Sequence, residues 1–129
     1  MINTIKWILI FAVLFAIVLY PQPGRAAEWR TSDTYREVGF QVLNLIDWGQ
    51  TRYIANNPKQ FREVESAWLI GEHPTVQAVD TLMITSAILH PIIAYYLPHG
   101  WRDAYQYISI GGKLNATAHN AYIGIKIQF

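Results

Sequence analysis

The sequence predicts an all-α protein: a bundle of three to four helices behind an N-terminal signal or anchor helix, ending in a short extended tail. Three observations carry this. Hydrophobic residues make up 52% of the 129-residue chain and charged residues only 15%, where a soluble domain carries about a quarter charged. The first twenty-odd residues have the layout of an export leader. Long segments between Pro- and Gly-rich breaks show helical rather than alternating spacing. A mean hydropathy of +0.13 is nonetheless too low for a chain made only of membrane helices, so part of it faces water.

The leader comes first. MINTIK ends in Lys6, an uncharged run of fourteen residues follows at 7–20, and PQPGRAAE closes it. This is the order of a positive n-region, an apolar h-region and a polar c-region. Gly24 and Ala26 suit the −3 and −1 positions for cleavage before Ala27. An uncleaved signal anchor is the rival reading. Fourteen helical residues span roughly 21 Å against a hydrocarbon core of about 30 Å, and Pro21 and Pro23 stop the helix from extending. The division is thus residues 1–26 as signal peptide or anchor and 27–129 as a single helical envelope domain.

Residues 27–33 read as an entry loop, and Thr34-x-x-Glu37 as a capping box opening a helix over 35–56. Val38, Val42, Leu45, Ile46, Tyr53 and Ile54 form its apolar stripe, and Asn56-Asn57-Pro58 stops it. Residues 58–73 mix apolar and charged positions and predict a short interfacial helical stretch ended by Gly71. Pro74 reads as the first position of the next helix, which runs to Leu97. That helix has no charge over 81–97, near the lower limit for a span. Pro91 predicts a kink there, with Thr85 or Ser86 serving the freed backbone groups, and Tyr95 and Tyr96 suit a membrane interface. A buried helix of a soluble bundle is the competing reading.

A turn at Pro98-His99-Gly100 leads into a last helix from Trp101, rich in small residues such as Gly111, Gly112 and Ala116. The tail AYIGIKIQF alternates, placing Ile123, Ile125, Ile127 and Phe129 on one side. One such segment cannot form a barrel, so an extended tail packed on the helices is expected.

Composition excludes several functions. A formal charge of +1, falling to −1 without Lys6 and Arg25, leaves no basic surplus for nucleic acid. The absence of cysteine removes disulfides, thiolate nucleophiles and thiolate zinc sites. No P-loop, dinucleotide fingerprint, G-x-S-x-G elbow or HExxH motif occurs, so no cofactor or metal is implied and a non-enzymatic role is favoured.

The polar residues singled out are Asp47, Gln50, Thr51, His73, Asp80, His119 and Asn120. Asp47, Gln50 and Thr51 share one helical face through i, i+3, i+4 spacing. A carboxylate after Leu45-Ile46 needs a partner. Whether this set converges is left to three dimensions: a functional polar cluster, a membrane enzyme or metal site using Asp47, His73, Asp80 and His119, or packing hydrogen bonds. Asn120 and His119 suit a helix C-terminus. His90 reads as a buried, hydrogen-bonded histidine.

The string Asp47-Trp48-Gly49-Gln50-Thr51, then Ile70-Gly71-x-His73-Pro74, Leu97-Pro98 with Trp101-Arg102, and His119-Asn120 before Ile123-Gly124, resembles small envelope proteins of tailed phages and Gram-negative bacteria over most of residues 35–125. The Asn-Pro that precedes the Ile-Gly-x-His-Pro string in that group is replaced here by Ala67-Trp68, and the lipoprotein cysteine of many relatives is absent. The resemblance implies a helical fold and an envelope location, with no known reaction. The leader, the apolar 81–97 run and the lack of catalytic motifs point to the inner membrane or periplasm ahead of the outer membrane, and to a role in lysis or host-surface modification. The expected partners are the lipid bilayer and another membrane protein or a second copy.

Overall fold

The computed structural model describes residues 28–129, and the segment 1–26 expected to be a signal peptide or anchor lies outside them. The chain is all-α. Helix α1 is Thr31–Asn56, α2 is the single turn Ala67–Ile70, α3 is Val76–Tyr96 and α4 is His99–Tyr122. No strand occurs among the described residues.

Helix α1 is the hub. Pairs such as Glu37 with His90 and Trp48 with Asp80 show α3 running antiparallel to it. Pairs such as Arg36 with Gln106 and Gln50 with Thr117 show α4 running parallel.

The helix starts differ from expectation. Helix α1 begins four residues earlier than predicted, because the Asp33 carboxylate, not a Thr34–Glu37 box, takes the Arg30 backbone N–H at 2.9 Å. Thr34 instead accepts a bond from Trp29 Nε1 at 2.8 Å. Asp33 is therefore an interior residue and not part of an entry loop. Pro74 precedes the cap of α3 rather than sitting inside the helix. Thr75 is the N-cap, and its side chain accepts the Ala78 N–H at 3.1 Å. Within 58–73 only α2 is helical. Helix α4 starts at His99, directly after Pro98.

The apolar stripe of α1 is turned outward. Val38, Val42 and Leu45 are 52–55% exposed, while Ile54 is buried. The positions facing α3 and α4 are mostly polar, with Phe40 and Ile54 buried among them. Among the described residues eleven polar or charged side chains are buried against seven apolar ones, so the centre is held by hydrogen bonds as much as by contact between hydrocarbons.

The tail is extended. The Gln128 N–H donates to Gly49 O at 3.0 Å, and Phe129 lies edge-on to Trp48 at 6.1 Å. Of the four alternating residues only Ile125 is buried; Ile123, Ile127 and Phe129 stay at least 44% exposed. A Cβ on Gly49 would stand 2.5 Å from Ile127 Cγ2 and 3.1 Å from the Phe129 ring. The glycine is thus what admits the tail.

Candidate functional site

Two helix seams build the interior. Between α1 and α3, Glu37, Gln41, Asn44 and Trp48 recur at 4-3-4 spacing, which keeps them on one face. Each meets α3. Glu37 Oε2 lies 2.8 Å from His90 Nδ1, and Gln41 Nε2 donates to Ala87 O at 3.0 Å. Asn44 Nδ2 donates to Met83 O at 3.2 Å, and Trp48 Nε1 to Asp80 at 2.7 Å.

The Gln41 bond has a specific cause. Pro91 has no N–H, so the Ala87 carbonyl one turn earlier loses its helical donor. A side chain from α1 supplies the replacement, where Thr85 or Ser86 was expected. Gln41 is itself oriented by Glu37 at 2.8 Å.

The turn between α3 and α4 is closed by a charge cluster. Arg102, fully buried, donates to Ala94 O at 2.7 Å and Tyr95 O at 3.1 Å, which satisfies the last carbonyls of α3. It also reaches Asp33 at 2.8 Å. Asp33 further pairs with Arg30 and Arg36, and both of these engage Asp103. Burial by itself pushes the Asp33 carboxyl up. The Arg30 backbone N–H and the Arg30 and Arg102 guanidiniums outweigh it and hold the group well below the usual carboxylate range.

The residues selected from sequence divide into two groups. Asp47, Gln50, Thr51 and Asn120 come together on the seam between α1 and α4. Lys113 Nζ lies 2.5 Å from Asp47, which also accepts from Thr51 at 3.4 Å. Gln50 donates to Thr117 O at 3.1 Å and receives Asn120 Nδ2 at 3.4 Å. The others stand apart. Asp80 belongs to Trp48 and Arg52, and His73 and His119 are exposed. The single constellation of Asp47, His73, Asp80 and His119 does not form. Among the described residues no group of three or more His, Cys, Asp or Glu side chains is placed to hold a metal ion.

Between α3 and α4 a cleft of about 350 Å³ opens, floored by α1 and bordered by Glu65, Ser66 and Leu69. Its apolar walls include Phe40, Leu82 and Met83. Its polar lining includes the Asp47–Lys113 pair and His90. The His90 ring is stacked between Phe40, 3.5 Å away, and Tyr105, 4.6 Å away. His90 is 4% exposed, and its Nε2 has no hydrogen-bond partner among the described residues.

Glu37, Gln41, His90 and Arg102 were not among the residues selected from sequence. The 4-3-4 polar spacing and the position of Gln41 opposite Pro91 were the available signals. Compared with protein families, with curated proteins and with solved structures, the chain matches none.

Proposed function

We propose that this chain is a small, non-enzymatic cell-envelope protein whose bundle is embedded in a membrane. One observation carries the reading: polarity is distributed inside out. The nine Asp, Glu, Lys and Arg residues of α1, α3 and α4 are all buried or partly covered, and none is exposed. The same helices expose Val38, Val42 and Leu45, then Ile84, Ile88 and Ile92, then Tyr107, Ile108 and Leu114. Water rewards the opposite arrangement, whereas hydrocarbon requires polar groups to be satisfied inside.

Helix α3 has the length and composition to cross a membrane, and only 17% of its most apolar window is buried. The core helix of a soluble bundle would be mostly covered. The exposed charges Lys59, Arg62, Glu65 and Glu72 fall in the connection between α1 and α3. Trp29, Tyr35, Tyr95, Tyr96 and Trp101 gather at the opposite end, where α1 starts and α3 ends. Amphipathic rings favour that depth. The resemblance noted in the sequence supports placing this membrane in a bacterial envelope; the leader-like start, the apolar 81–97 run and the lack of catalytic motifs support a part in lysis or surface modification.

The chain has no cysteine, so single cysteines report depth cleanly. In membranes carrying the full chain, a membrane-impermeant maleimide should label Arg62→Cys and leave Ile88→Cys and Val42→Cys unmodified until detergent is added. Equal labelling of all three, or monodisperse protein without detergent, refutes embedding.

A further inference from the structure

We propose that the pocket between the connection at 62–65 and the last turns of α4 binds an alkylammonium group, from a free amine or from the head group of an aminophospholipid, through Glu63, Glu65 and Asn120. The pocket stands without the membrane reading; only the lipid source rests on it.

Two segments build the pocket. In the connection, the Glu63 N–H donates to Glu72 O at 2.7 Å, and Glu63 Oε1 accepts the Ser66 N–H at 2.9 Å. These bonds hold an acidic residue in place at 4% exposure. On α4, Asn115, His119 and Asn120 form the facing wall, with Ile123 just past the helix end. The volume is about 190 Å³. That lies under the roughly 300–1,000 Å³ of drug-sized sites and suits a small polar head without a large apolar body.

The polar atoms left over are acceptors. Gln50 Nε2 donates to Thr117 O at 3.1 Å, so Gln50 Oε1 is the atom that takes the Asn120 amide nitrogen at 3.4 Å. This fixes the Asn120 amide and leaves its Oδ1 without a donor. Asn115 likewise turns its nitrogen to Glu65 Oε1 at 3.1 Å. Glu63 Oε2 also has no donor among the described residues. Both oxygens stay within reach of solvent. The unpartnered side-chain atoms that solvent cannot touch are Arg30 Nε, Asn44 Oδ1 and His90 Nε2. Glu63 Oε2 and Asn120 Oδ1 are not among them, and both residues line the pocket.

The sign of the ligand follows from the ion pairs. Neither Glu63 nor Glu65 has one among the described residues. Arg62 is the only Lys or Arg on the wall, and it lies 4.0 Å from Glu72. Two carboxylates therefore share a small space with no cation committed to them, which favours a positive guest. Glu63, Glu65 and Asn120 supply three acceptors for the three N–H groups of an ammonium, and hydrogen bonds between charged partners are the strong ones. Glu63, Glu65 and His119 are not placed as a metal-holding group, so a cation that brings its own donors fits where a bare ion does not.

The test uses the full chain in dodecylmaltoside micelles at pH 8, where a free imidazole is uncharged. Ethanolamine is the probe. Choline is its counterpart, with the same charge and no N–H. Binding is read from the side-chain amide resonances of Asn115 and Asn120. Ethanolamine should shift them saturably, and choline should bind at least roughly tenfold more weakly. Glu63→Gln keeps an acceptor for Ser66 but removes the charge, and should cost roughly tenfold. Glu65 is exposed, so Glu65→Gln keeps the fold and decides alone if the first variant misfolds; it should weaken binding by roughly threefold or more. Nanodiscs of phosphatidylethanolamine and of phosphatidylcholine separate the sources. A lipid occupant leaves the resonances already shifted in the first, where added ethanolamine does nothing more. A free amine gives the same ethanolamine titration in both. Either pattern upholds the pocket and identifies its source. Absence of a saturable shift in the parent chain in micelles and in both nanodiscs overturns the proposal. Equal affinity for ethanolamine and choline overturns it too, as does binding undiminished in Glu65→Gln.

Discussion

The link between Gln41 and Pro91 permits a double-mutant cycle whose outcome is fixed in advance. Gln41 Nε2 donates to Ala87 O at 3.0 Å because Pro91 cannot. Replacing Gln41 by Leu strands that carbonyl and removes a donor from Glu37. An unmet, partly buried acceptor costs about 1–3 kcal/mol, and interhelical bonds measured in membranes sit near the lower end, about 0.6–2 kcal/mol. Replacing Pro91 by Ala restores an N–H one turn beyond Ala87. In that background Gln41→Leu forfeits only the bond to Glu37. The two substitutions should therefore couple by about 1 kcal/mol. For a bundle of about a hundred residues this is a Tm difference of roughly 4–8 °C, readable from tryptophan fluorescence in micelles. Gln41→Leu costing the same in both backgrounds would mean that Ala87 does not depend on Gln41, and the account of how this proline-containing helix is satisfied would fail.

Three further outcomes follow from the other contacts. Lys113→Met removes the ammonium partner of Asp47, which is 8% exposed; it should destabilise by up to about 3–5 kcal/mol, and adding Asp47→Asn should recover most of that in the same melting assay. Gly49→Ala puts a methyl 2.5 Å from Ile127 Cγ2; because the tail is largely exposed, the global melt should move little while trypsin cuts after Lys126 faster. Asp33 has a depressed pKa when folded, so its stabilisation is full at neutral pH and is lost as pH falls through that low value. The stability gap between the parent chain and Asp33→Asn should thus be constant near neutrality and close below about pH 4; a gap that widens in acid contradicts the assignment.

The helices were legible where a break and a run coincided. Helix α3 was placed within a residue or two because Pro74 and Pro98 bracket a stretch whose one charge is Asp80. The start of α1 was not, since Thr31, Ser32, Asp33 and Thr34 all have cap-forming chemistry. Asp33 prevails because Arg102, sixty-nine residues away, closes on it, and no local pattern contains that. Asp47, Gln50 and Thr51 were found because a charge inside an apolar helix demands a partner; Asn120 was selected as a helix-end residue, but it lies inside α4, which runs to Tyr122, and its side chain turns to Gln50 instead. Glu37, Gln41 and Asn44 were missed for the opposite reason. Val38, Val42 and Leu45 flank them at equally good spacing, and the habit of turning the apolar stripe inward hid the polar one. Which stripe faces the core depends on the solvent outside, and periodicity alone is silent on that.

The outward apolar faces could in principle be covered by a second copy instead of lipid, and the helix geometry separates the two. Val38, Val42 and Leu45 lie on the side of α1 opposite Phe40 and Asp47, turned away from both neighbours. Ile84, Ile88 and Ile92 lie on the side of α3 turned away from its contact with α1. Tyr107, Ile108 and Leu114 lie on α4 away from Gln106 and Lys113. Three faces pointing in different directions around one bundle cannot all enter a single two-fold interface, whereas a surrounding solvent touches every one. A lysine placed on each face in turn distinguishes these cases. At the centre of a bilayer helix it costs about 2.5–3.5 kcal/mol on the insertion scale. Val42→Lys, Ile88→Lys and Ile108→Lys should therefore each lower the fraction of chain recovered in carbonate-washed membranes. A homodimer in water would register the charge on one face and tolerate it on the other two, and that pattern would transfer the apolar surface from lipid to protein.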